Sequence, residues 1–214
     1  SLQAVLDEVA GANLTPLAMD VRDEADACAK IAAKVEKKGA IEICVPNAGI
    51  AEGKALHKTD MGFWRDMMAT NLDGVFLTIR ESLTSMRQTD WGRVIAISSV
   101  AGLKGLKGAP CYSATKHGVI GLIRALSEDY LGQPITFNAI CPAYVDTPII
   151  ARNTDSIAQR TGLSEDKARG LMVDMNRHGR LIEPEEIAAA ALWLVRPGSE
   201  SVNGQALEIA GGQM

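Results

Sequence analysis

The fold is decided by residues 93–140, which read RVIAISSVAGLKGLKGAPCYSATKHGVIGLIRALSEDYLGQPITFNAI. This stretch opens with a short apolar run at 93–98 and closes with a second one at 135–140. Between them, a Gly-rich loop at 102–110 precedes a helical pattern at 112–131. Short apolar runs are typical of parallel strands that are covered on both faces. The segment therefore predicts a strand–helix–strand unit.

The same alternation of strands and helices continues on both sides of this unit. On the N-terminal side, apolar spacing predicts the end of a helix at 2–9, a strand at 14–21, a helix at 22–38, a strand at 41–45 and a helix at 61–86. On the C-terminal side, it predicts an irregular segment with helical pieces at 147–182, a helix at 183–195 and a strand at 206–209. This alternation predicts an α/β fold, a doubly wound Rossmann-like parallel sheet in a single domain over residues 1–214.

Composition and charge exclude several classes of protein. The chain has 214 residues, of which 47% are hydrophobic and 22% are charged, as in ordinary globular domains. A net charge of -4 and the lack of any basic run argue against a nucleic-acid or anionic-membrane partner. No apolar run approaches the roughly 18 residues of a transmembrane helix. The first residues lack the basic region and the cleavage site of a signal peptide.

The cysteines and histidines show no metal-ligand pattern. The four cysteines are widely spaced without any C-x-x-C pair, and the three histidines are isolated, so we expect no metal site. Cys44 and Cys141 lie in apolar strand-like runs, which predicts that both are small core residues. Unpaired cysteines favour a reducing compartment, and we expect a cytoplasmic location.

Tyr112 and Lys116 form the first candidate for chemistry. They lie four residues apart, so a helix would place them on one face. A free tyrosine has a pKa of about 10, and a nearby cation lowers that pKa by stabilising the phenolate. Such a tyrosine could exchange a proton with a substrate oxygen. The alternative is an ordinary surface lysine beside a half-buried tyrosine, because the Y-x-x-x-K pattern is common.

Two further residues extend this pair to a known pattern. Asn71 begins the segment NLDGVF, and Ser99 ends the strand at 93–98, thirteen residues before Tyr112. With these motifs the chain resembles the short-chain dehydrogenase/reductase family, in particular its 3-oxoacyl reductase-like branch, from residue 2 to residue 214. The spacing of thirteen selects Ser99 over its neighbour Ser98.

The resemblance implies a role for each residue of this catalytic set. Ser99 would bind the substrate carbonyl oxygen, and Tyr112 would give that oxygen a proton or take one from the alcohol. Lys116 would lower the pKa of the tyrosine and bind the ribose hydroxyls of the nicotinamide cofactor. Asn71 would hold a water molecule in the proton relay beyond Lys116.

The resemblance implies two motifs that would contact the adenosine half of the cofactor. Asp20 and Val21 resemble the strand-end pair that meets adenine, although Asp20 could instead cap the next helix. Asn47, Ala48 and Gly49 resemble the end of the family's N-N-A-G motif, with Pro46 in place of the first Asn. Small residues let the backbone approach a ligand closely. A proline there removes one backbone donor.

The resemblance implies that the segment PAYVDTP at 142–148 would contact the nicotinamide half of the cofactor. It resembles the family's P-G motif, which Pro142 begins. Ala143 replaces the usual Gly, and a side chain is tolerated there if φ stays negative. The Val145 backbone and the Thr147 hydroxyl would then meet the nicotinamide carboxamide, with NAD or NADP as the cofactor. The alternative is a loop that is merely bounded by prolines.

The family's Gly-rich turn, T-G-x-x-x-G-x-G, does not occur in the sequence. A dinucleotide site uses such a strand-to-helix turn to bind the pyrophosphate. Its first strand–helix–strand unit takes about 30 residues, so we expect an N-terminally incomplete sheet with an exposed edge. Three explanations stay open: a trimmed sequence, a fragment with a changed fold, and a degenerate relative. We expect the 214 residues alone to bind a nicotinamide dinucleotide only weakly.

The segment at 148–182 corresponds to the family's substrate lid. Its apolar residues could line an apolar substrate or form the buried face of a short helix; they are Leu171, Met172 and Met175. Its basic residues could bind a phosphate or a carboxylate, or form a solvated cluster; they are Arg177, His178 and Arg180.

Together these features predict an NAD(P)-dependent oxidoreductase that interconverts a secondary alcohol and a ketone. A 3-oxoacyl or 3-hydroxyacyl compound is the leading substrate class, and a polyol, sugar or steroid alcohol is the alternative. A non-catalytic scaffold of the same fold is the rival outside the enzymes. The resemblance also implies a homotetramer that is built from the C-terminal strand and the long helices.

Overall fold

The computed structural model describes residues 13–212, so the helix predicted at 2–9 lies outside the described residues. The helices, in chain order, are α1 (Glu24–Lys38), α2 (Met61–Met68), α3 (Gly74–Met86), α4 (Pro110–Asp129), α5 (Pro148–Thr161), α6 (Glu165–Met175) and α7 (Pro184–Leu194). The strands are β1 (Ile43–Cys44), β2 (Gly92–Ile97), β3 (Ile135–Pro142) and β4 (Ala206–Ile209).

The four strands form one parallel sheet in the order β1-β2-β3-β4. In its centre, Val94 pairs with Phe137, and Ile140 pairs with Leu207. Parallel neighbours need a crossover, and helices of the predicted kind supply each one. The predicted Rossmann-like α/β class is therefore confirmed.

Side chains that alternate along β2 belong to two separate apolar clusters. Val94 and Ala96 pack into a cluster with residues of α3 and α4, whereas Ile95 and Ile97 pack with residues of α7. Successive side chains of a strand point to opposite faces of the sheet. The sheet is thus covered by helices on both faces, which explains why its strands read as continuous apolar runs.

The strand predicted at 14–21 is not present. Residues 13–20 have no regular structure, and β1 is reduced to two residues. Among residues 13–212, no strand pairs with the outer edge of β1, where Ile43 is 46% exposed and Val45 is 44% exposed. The apolar alternation at 14–21 does not produce a strand because a strand needs a neighbour to satisfy its hydrogen bonds. Within the described residues, the outer edge of β1 therefore has no partner strand.

The long helix predicted at 61–86 contains an irregularity. Asp60 caps its start by accepting a hydrogen bond from the Phe63 N–H at 2.9 Å. A π-helical turn, Ala69–Asp73, separates α2 from α3. Such turns insert one extra residue and re-aim the side chains around them.

The segment at 147–182 is more regular than predicted. Two helices, α5 and α6, occupy most of it, and they are joined at Gly162, whose φ of 72° lies in the left-handed region. Ser164 then caps α6 by accepting from the Lys167 N–H. Within residues 13–212, no helix is both long and apolar enough to cross a membrane.

The predicted core positions of two cysteines are confirmed. Cys44 is 4% exposed and Cys141 is 0% exposed, and both belong to the same apolar cluster. Neither is in a disulfide. Burial raises the pKa of each thiol to about 11, because the thiolate is disfavoured in apolar surroundings.

Candidate active site

The candidate residues lie along one edge of the sheet. Because β1, β2 and β3 are parallel, their carboxyl ends share an edge. The segments that leave this edge carry Asn47–Gly49, Ser99 and the loop 143–147. This is the edge at which open α/β sheets bind their ligands.

Tyr112 and Lys116 both lie in the first two turns of α4, which begins with Pro110 at a position where its missing N–H is not needed. The Lys116 Nζ atom is 5.7 Å from the centroid of the Tyr112 ring, so the predicted shared face is observed. Lys116 is 5% exposed, and Nζ donates a hydrogen bond to the Ile97 carbonyl oxygen at 2.9 Å. Burial lowers the pKa of Lys116 to about 8, because it disfavours the charged form.

Hydrogen bonding by the Ser99 side chain favours the phenolate of Tyr112 and so acts to lower its pKa. The Ser99 Oγ atom also accepts from the Ala101 N–H at 3.1 Å and donates to the Pro142 carbonyl oxygen at 3.4 Å. These contacts fix the serine hydroxyl beside the phenol. The two oxygens can therefore bind one substrate oxygen together.

The electrostatic effect on Tyr112 differs from the sequence-based expectation. The pKa of Tyr112 is raised, first because burial disfavours the phenolate; the hydrogen bond with Ser99 opposes this shift, and the nearby Tyr144 adds to it. Lys116 is not among the causes of this shift, so the expected lowering of the Tyr112 pKa by the lysine is not observed. The tyrosine is held as a protonated phenol at neutral pH, the form that donates a proton.

The neighbouring Ser98 has a different position. Its Oγ atom donates to the Lys116 carbonyl oxygen at 3.1 Å and so ties the end of β2 to α4. Gly102 packs tightly at the same place, since a Cβ atom on it would lie 2.6 Å from that carbonyl oxygen. Of the two serines, Ser99 is the one that contacts Tyr112.

Asn71 is placed by the π-helical turn and has no exposed surface. Its Oδ1 atom accepts from the Ile50 N–H at 2.8 Å, and its Nδ2 atom donates to the Ile50 carbonyl oxygen at 2.9 Å. Nδ2 also lies 3.4 Å from the Thr115 Oγ1 atom. The side chain therefore clamps the segment after β1 onto α4. The water-holding role that the resemblance implies stays a prediction.

Gly49 brings the segment after β1 close to these groups. A Cβ atom on Gly49 would lie 3.3 Å from the Asn71 Oδ1 atom and 3.9 Å from the Lys116 Nζ atom. Asn47, Ala48 and Gly49 are all exposed, so their backbone faces open space beside Lys116. This bare backbone next to a lysine fits the ribose of a nicotinamide nucleotide.

Asp20 and Val21 have clear local roles. Asp20 pairs with Arg22 at 2.8 Å, and hydrogen bonds from Arg22 lower its pKa to about 2. The cap of α1 is Asp23, so the alternative of Asp20 as a helix cap is wrong. Val21 packs against Gly74, where a Cβ atom would lie 2.8 Å from the Val21 Cγ2 atom. The contact of Asp20 and Val21 with adenine stays a prediction.

The loop after β3 is anchored at several points. The Ala143 N–H donates to the Ile209 carbonyl oxygen at 3.0 Å. Its φ is negative, as its substitution for Gly requires, because no non-glycine residue among those described has a positive φ. Val145 pairs with Ile182 in a parallel bridge, and the Thr147 Oγ1 atom donates to the Val145 carbonyl oxygen at 3.3 Å.

The apolar residues of the segment at 148–182, the predicted lid, differ in whether they form a buried helix face or could contact a substrate. Met172 is 3% exposed and packs with Ile150 and Leu181, so it belongs to a buried helix face. Leu171 is 49% exposed and Met175 is 43% exposed, so these two are free to contact a ligand.

The basic residues of the lid are partly engaged. Arg180 is held by Glu186 through two hydrogen bonds of 2.6 and 3.0 Å, so it is not an unpaired phosphate ligand. Arg177 and His178 are exposed. In the described part of the chain, no group of three or more His, Cys, Asp or Glu side chains is placed to hold a metal ion.

Two residues of this region escaped the sequence analysis. Tyr144 packs into the lid cluster around Met172, and its phenol affects the pKa of Tyr112. Asn176 is fully buried at the end of α6. Tyr144 follows a recognisable motif and could have been noticed, whereas nothing local distinguishes Asn176 from a surface residue.

Comparisons with known proteins agree with this arrangement. A family model described as enoyl-(acyl carrier protein) reductase matches residues 1–213. A Streptomyces violaceoruber protein assigned as ketoacyl reductase 1 of granaticin polyketide synthase is 37% identical, over 90% of this chain and 72% of its own length. Acetoacetyl-CoA reductase of Rhizobium meliloti is 35% identical, over 87% of this chain and 74% of its own length.

A solved structure shows the same fold. Actinorhodin polyketide ketoreductase, determined as a variant with NADPH, superimposes with a TM-score of 0.94 at 34% sequence identity. The match covers 99% of this chain and 83% of that chain.

Proposed function

Because this chain belongs to the short-chain dehydrogenase/reductase family, we propose that it interconverts a secondary alcohol and a ketone, with NAD or NADP as the hydride carrier. The observation that carries the proposal is the position of Lys116, whose Nζ atom is 5.7 Å from the centroid of the Tyr112 ring and donates to the Ile97 carbonyl oxygen at 2.9 Å. Ser99 acts on the same phenol, since hydrogen bonding by its side chain acts to lower the pKa of Tyr112. These groups lie at the edge of the sheet where the family binds its cofactor.

The proton transfer follows from the geometry of two side chains. Ser99 and Tyr112 bind the carbonyl oxygen, and the nicotinamide supplies hydride to the carbonyl carbon. As negative charge develops on the oxygen, Tyr112 donates its proton to it. With its raised pKa, the phenol of Tyr112 carries its proton at neutral pH, which is the form that this step requires.

Lys116 and Asn71 support this pair. Lys116 is anchored to β2 through Ile97, and its Nζ atom faces the bare backbone at Gly49, where the ribose hydroxyls would bind. Asn71 holds the segment that carries Gly49 by its two hydrogen bonds to Ile50. Both residues thus set the distance between the cofactor and Tyr112.

The proposed substrate is a 3-oxoacyl compound or its 3-hydroxy product. The lid leaves Leu171 and Met175 exposed, and apolar side chains at these positions suit an acyl chain better than a polyol. Relatives that are named for ketoacyl and acetoacetyl-CoA reduction support the same class.

The proposal extends to assembly and location. We propose a homotetramer, because α7 exposes Leu192 (53%) and Trp193 (47%), and large exposed apolar side chains mark interaction surfaces. Light scattering after gel filtration tests this state. We also propose a cytoplasmic location, which is supported by the free cysteines.

The deciding experiment is a carbonyl-reduction assay. The purified protein is mixed with NADH or NADPH and a panel that includes acetoacetyl-CoA, a sugar and a steroid ketone, and cofactor absorbance is followed. We expect oxidation of the cofactor with the 3-oxoacyl compound, and its loss in Tyr112→Phe. Tyr130→Phe is the matched control, because Tyr130 ends α4 and packs against Phe137 in the core. No turnover of any carbonyl by the wild type would favour a non-catalytic scaffold.

A further inference from the structure

Asn176 is a buried amide whose hydrogen bonds all reach the backbone of other segments. It follows α6 directly and is 0% exposed. Its Oδ1 atom accepts from the Tyr144 N–H at 3.2 Å. Its Nδ2 atom donates to the Tyr144 carbonyl oxygen at 2.8 Å and to the Arg180 carbonyl oxygen at 2.9 Å. The side chain therefore pairs with Tyr144 as a neighbouring strand would.

These bonds continue into a short backbone ladder. The Ile182 N–H donates to the Tyr144 carbonyl oxygen at 3.0 Å, and the Asp146 N–H donates to the Ile182 carbonyl oxygen at 2.8 Å. Asn176 thus joins three segments: the end of α6, the loop after β3 and the chain that leads into α7. Both polar atoms of the Asn176 side chain form hydrogen bonds, which explains why a polar residue is tolerated at a fully buried position.

The clamped residue, Tyr144, connects the lid to the proton donor. Its side chain packs with Ile150, Met172 and Leu181 under α5 and α6. Two residues earlier in the same loop, the Pro142 carbonyl oxygen accepts a hydrogen bond from the Ser99 Oγ atom at 3.4 Å, so the loop also contacts the candidate site. Charge on the Tyr144 phenol is one cause of the raised pKa of Tyr112. Any shift of the Tyr144 backbone therefore moves a side chain that borders both the lid and the candidate reaction site.

We propose that Asn176 is a positioning residue that fixes Tyr144 relative to Tyr112 and makes the lid and the loop after β3 move as one unit. The expected effect on catalysis rests on the proposed function, whereas the coupled movement of the lid and the loop does not. Asn176 acts through Tyr144 and does not itself contact the reacting atoms.

The choice of an amide follows from hydrogen-bond chemistry. An Asp at position 176 would keep the acceptor for the Tyr144 N–H but would aim a second carboxylate oxygen at two carbonyl oxygens. An Ala would leave the Tyr144 N–H and the Arg180 carbonyl oxygen without this partner. Both changes are therefore expected to open the clamp.

The chain offers a matched control in Asn138. It is 1% exposed, its Nδ2 atom donates to the Val202 carbonyl oxygen at 2.7 Å, and its Oδ1 atom accepts from the Gln205 N–H at 3.0 Å. This clamp is equally buried but joins β3 to the segment before β4. Asn138→Ala thus removes a similar clamp without loosening the lid.

The test combines amide hydrogen exchange with steady-state kinetics on wild type, Asn176→Ala, Asn176→Asp and Asn138→Ala. We expect exchange of the Tyr144, Asp146 and Ile182 amides to rise about five-fold or more in the Asn176 variants, which corresponds to about 1 kcal/mol, the contribution of one buried hydrogen bond. We expect KM for the ketone to rise about ten-fold with a smaller change in kcat, because misplaced binding groups weaken substrate positioning.

Two results would overturn the inference. One is unchanged exchange at these three amides in a folded Asn176 variant, and the other is the same rise in KM in Asn138→Ala. If the wild type reduces no carbonyl compound, the proposed function fails, and the exchange data alone decide whether Asn176 couples the lid to the loop. If Asn176→Ala does not fold, the same measurements on Asn176→Asp decide the question.

Discussion

The Lys116 ammonium group donates a hydrogen bond of 2.9 Å to the carbonyl oxygen of Ile97, the last residue of β2. A helix residue is thereby anchored to the end of a sheet strand, next to the phenol of Tyr112. This contact sets the position of the lysine but also buries it. Burial accounts for its lowered pKa, and the first prediction depends on that pKa.

Lys116 gives the folding stability a pH dependence of definite sign. Its pKa is lowered from 10.5 to about 8 on folding. Between these values the unfolded chain binds more protons, so stability rises with pH across this window. We expect the stability of the wild type relative to Lys116→Met to increase by up to roughly 3 kcal/mol from pH 8 to 10.5.

Thermal unfolding of both proteins at several pH values measures this difference. The buried thiols of Cys44 and Cys141 are present in both proteins, so their effect cancels. A difference that stays flat, or that falls with rising pH, would contradict the prediction.

The two adjacent serines are expected to separate catalysis from stability. Ser99→Ala removes the hydroxyl that contacts Tyr112, so we expect kcat to fall about 100-fold, as for other lost transition-state donors. Ser98→Ala removes a bond to the Lys116 carbonyl oxygen and should lower the unfolding free energy by about 1 kcal/mol with little change in kcat. Kinetics and urea unfolding of both variants test this, and an equal loss of kcat in both would refute it.

Asn71→Ala should reduce stability more than a typical substitution. It leaves both the N–H and the carbonyl oxygen of Ile50 without their partners. We expect a loss of about 1–2 kcal/mol in urea unfolding, since two hydrogen bonds of about 1 kcal/mol each are lost and water can reach the freed groups of Ile50, which is 41% exposed. Thr115→Val is the control, because it removes only the 3.4 Å contact to Nδ2 and the local bond to the Tyr112 carbonyl oxygen. A larger loss in the control would show that Asn71 is not the clamp.

Two glycines in helices should respond to alanine in opposite directions. In Gly74→Ala the new Cβ atom would lie 2.8 Å from the Val21 Cγ2 atom, so we expect a loss of about 1–3 kcal/mol from overpacking. In Gly121→Ala the new atom has nothing within 4 Å, so we expect a gain of about 0.5–1 kcal/mol from helix propensity. Differential scanning calorimetry compares the two, and a stabilised Gly74→Ala would disprove the tight contact.

Much of the fold was predictable because its signals are local. Apolar runs such as Ile135–Ile140 and the helical spacing after Tyr112 reflect periodicities that any short segment carries. The candidate site residues came from a resemblance of short motifs to those of a known family. The structure brings Ser99, Tyr112, Lys116 and Asn71 to one edge of the sheet.

Other properties could not be predicted because they depend on distant residues. The alternation at 14–21 has strand character, but no strand among residues 13–212 pairs with it. The π-helical turn at Asn71 follows from contacts with Ile50 and α4, which lie far apart in the sequence.

The sequence by itself determined the α/β class and the order of its elements, because periodicity is a property of neighbouring residues, and its resemblance to a known family supplied the candidate catalytic residues. Only the tertiary structure decided that the pKa of Tyr112 is raised rather than lowered, and that Asn176 clamps Tyr144. Burial and long-range hydrogen bonds arise when distant segments meet. Their balance against a local charge such as Lys116 is therefore set by packing and not by sequence distance.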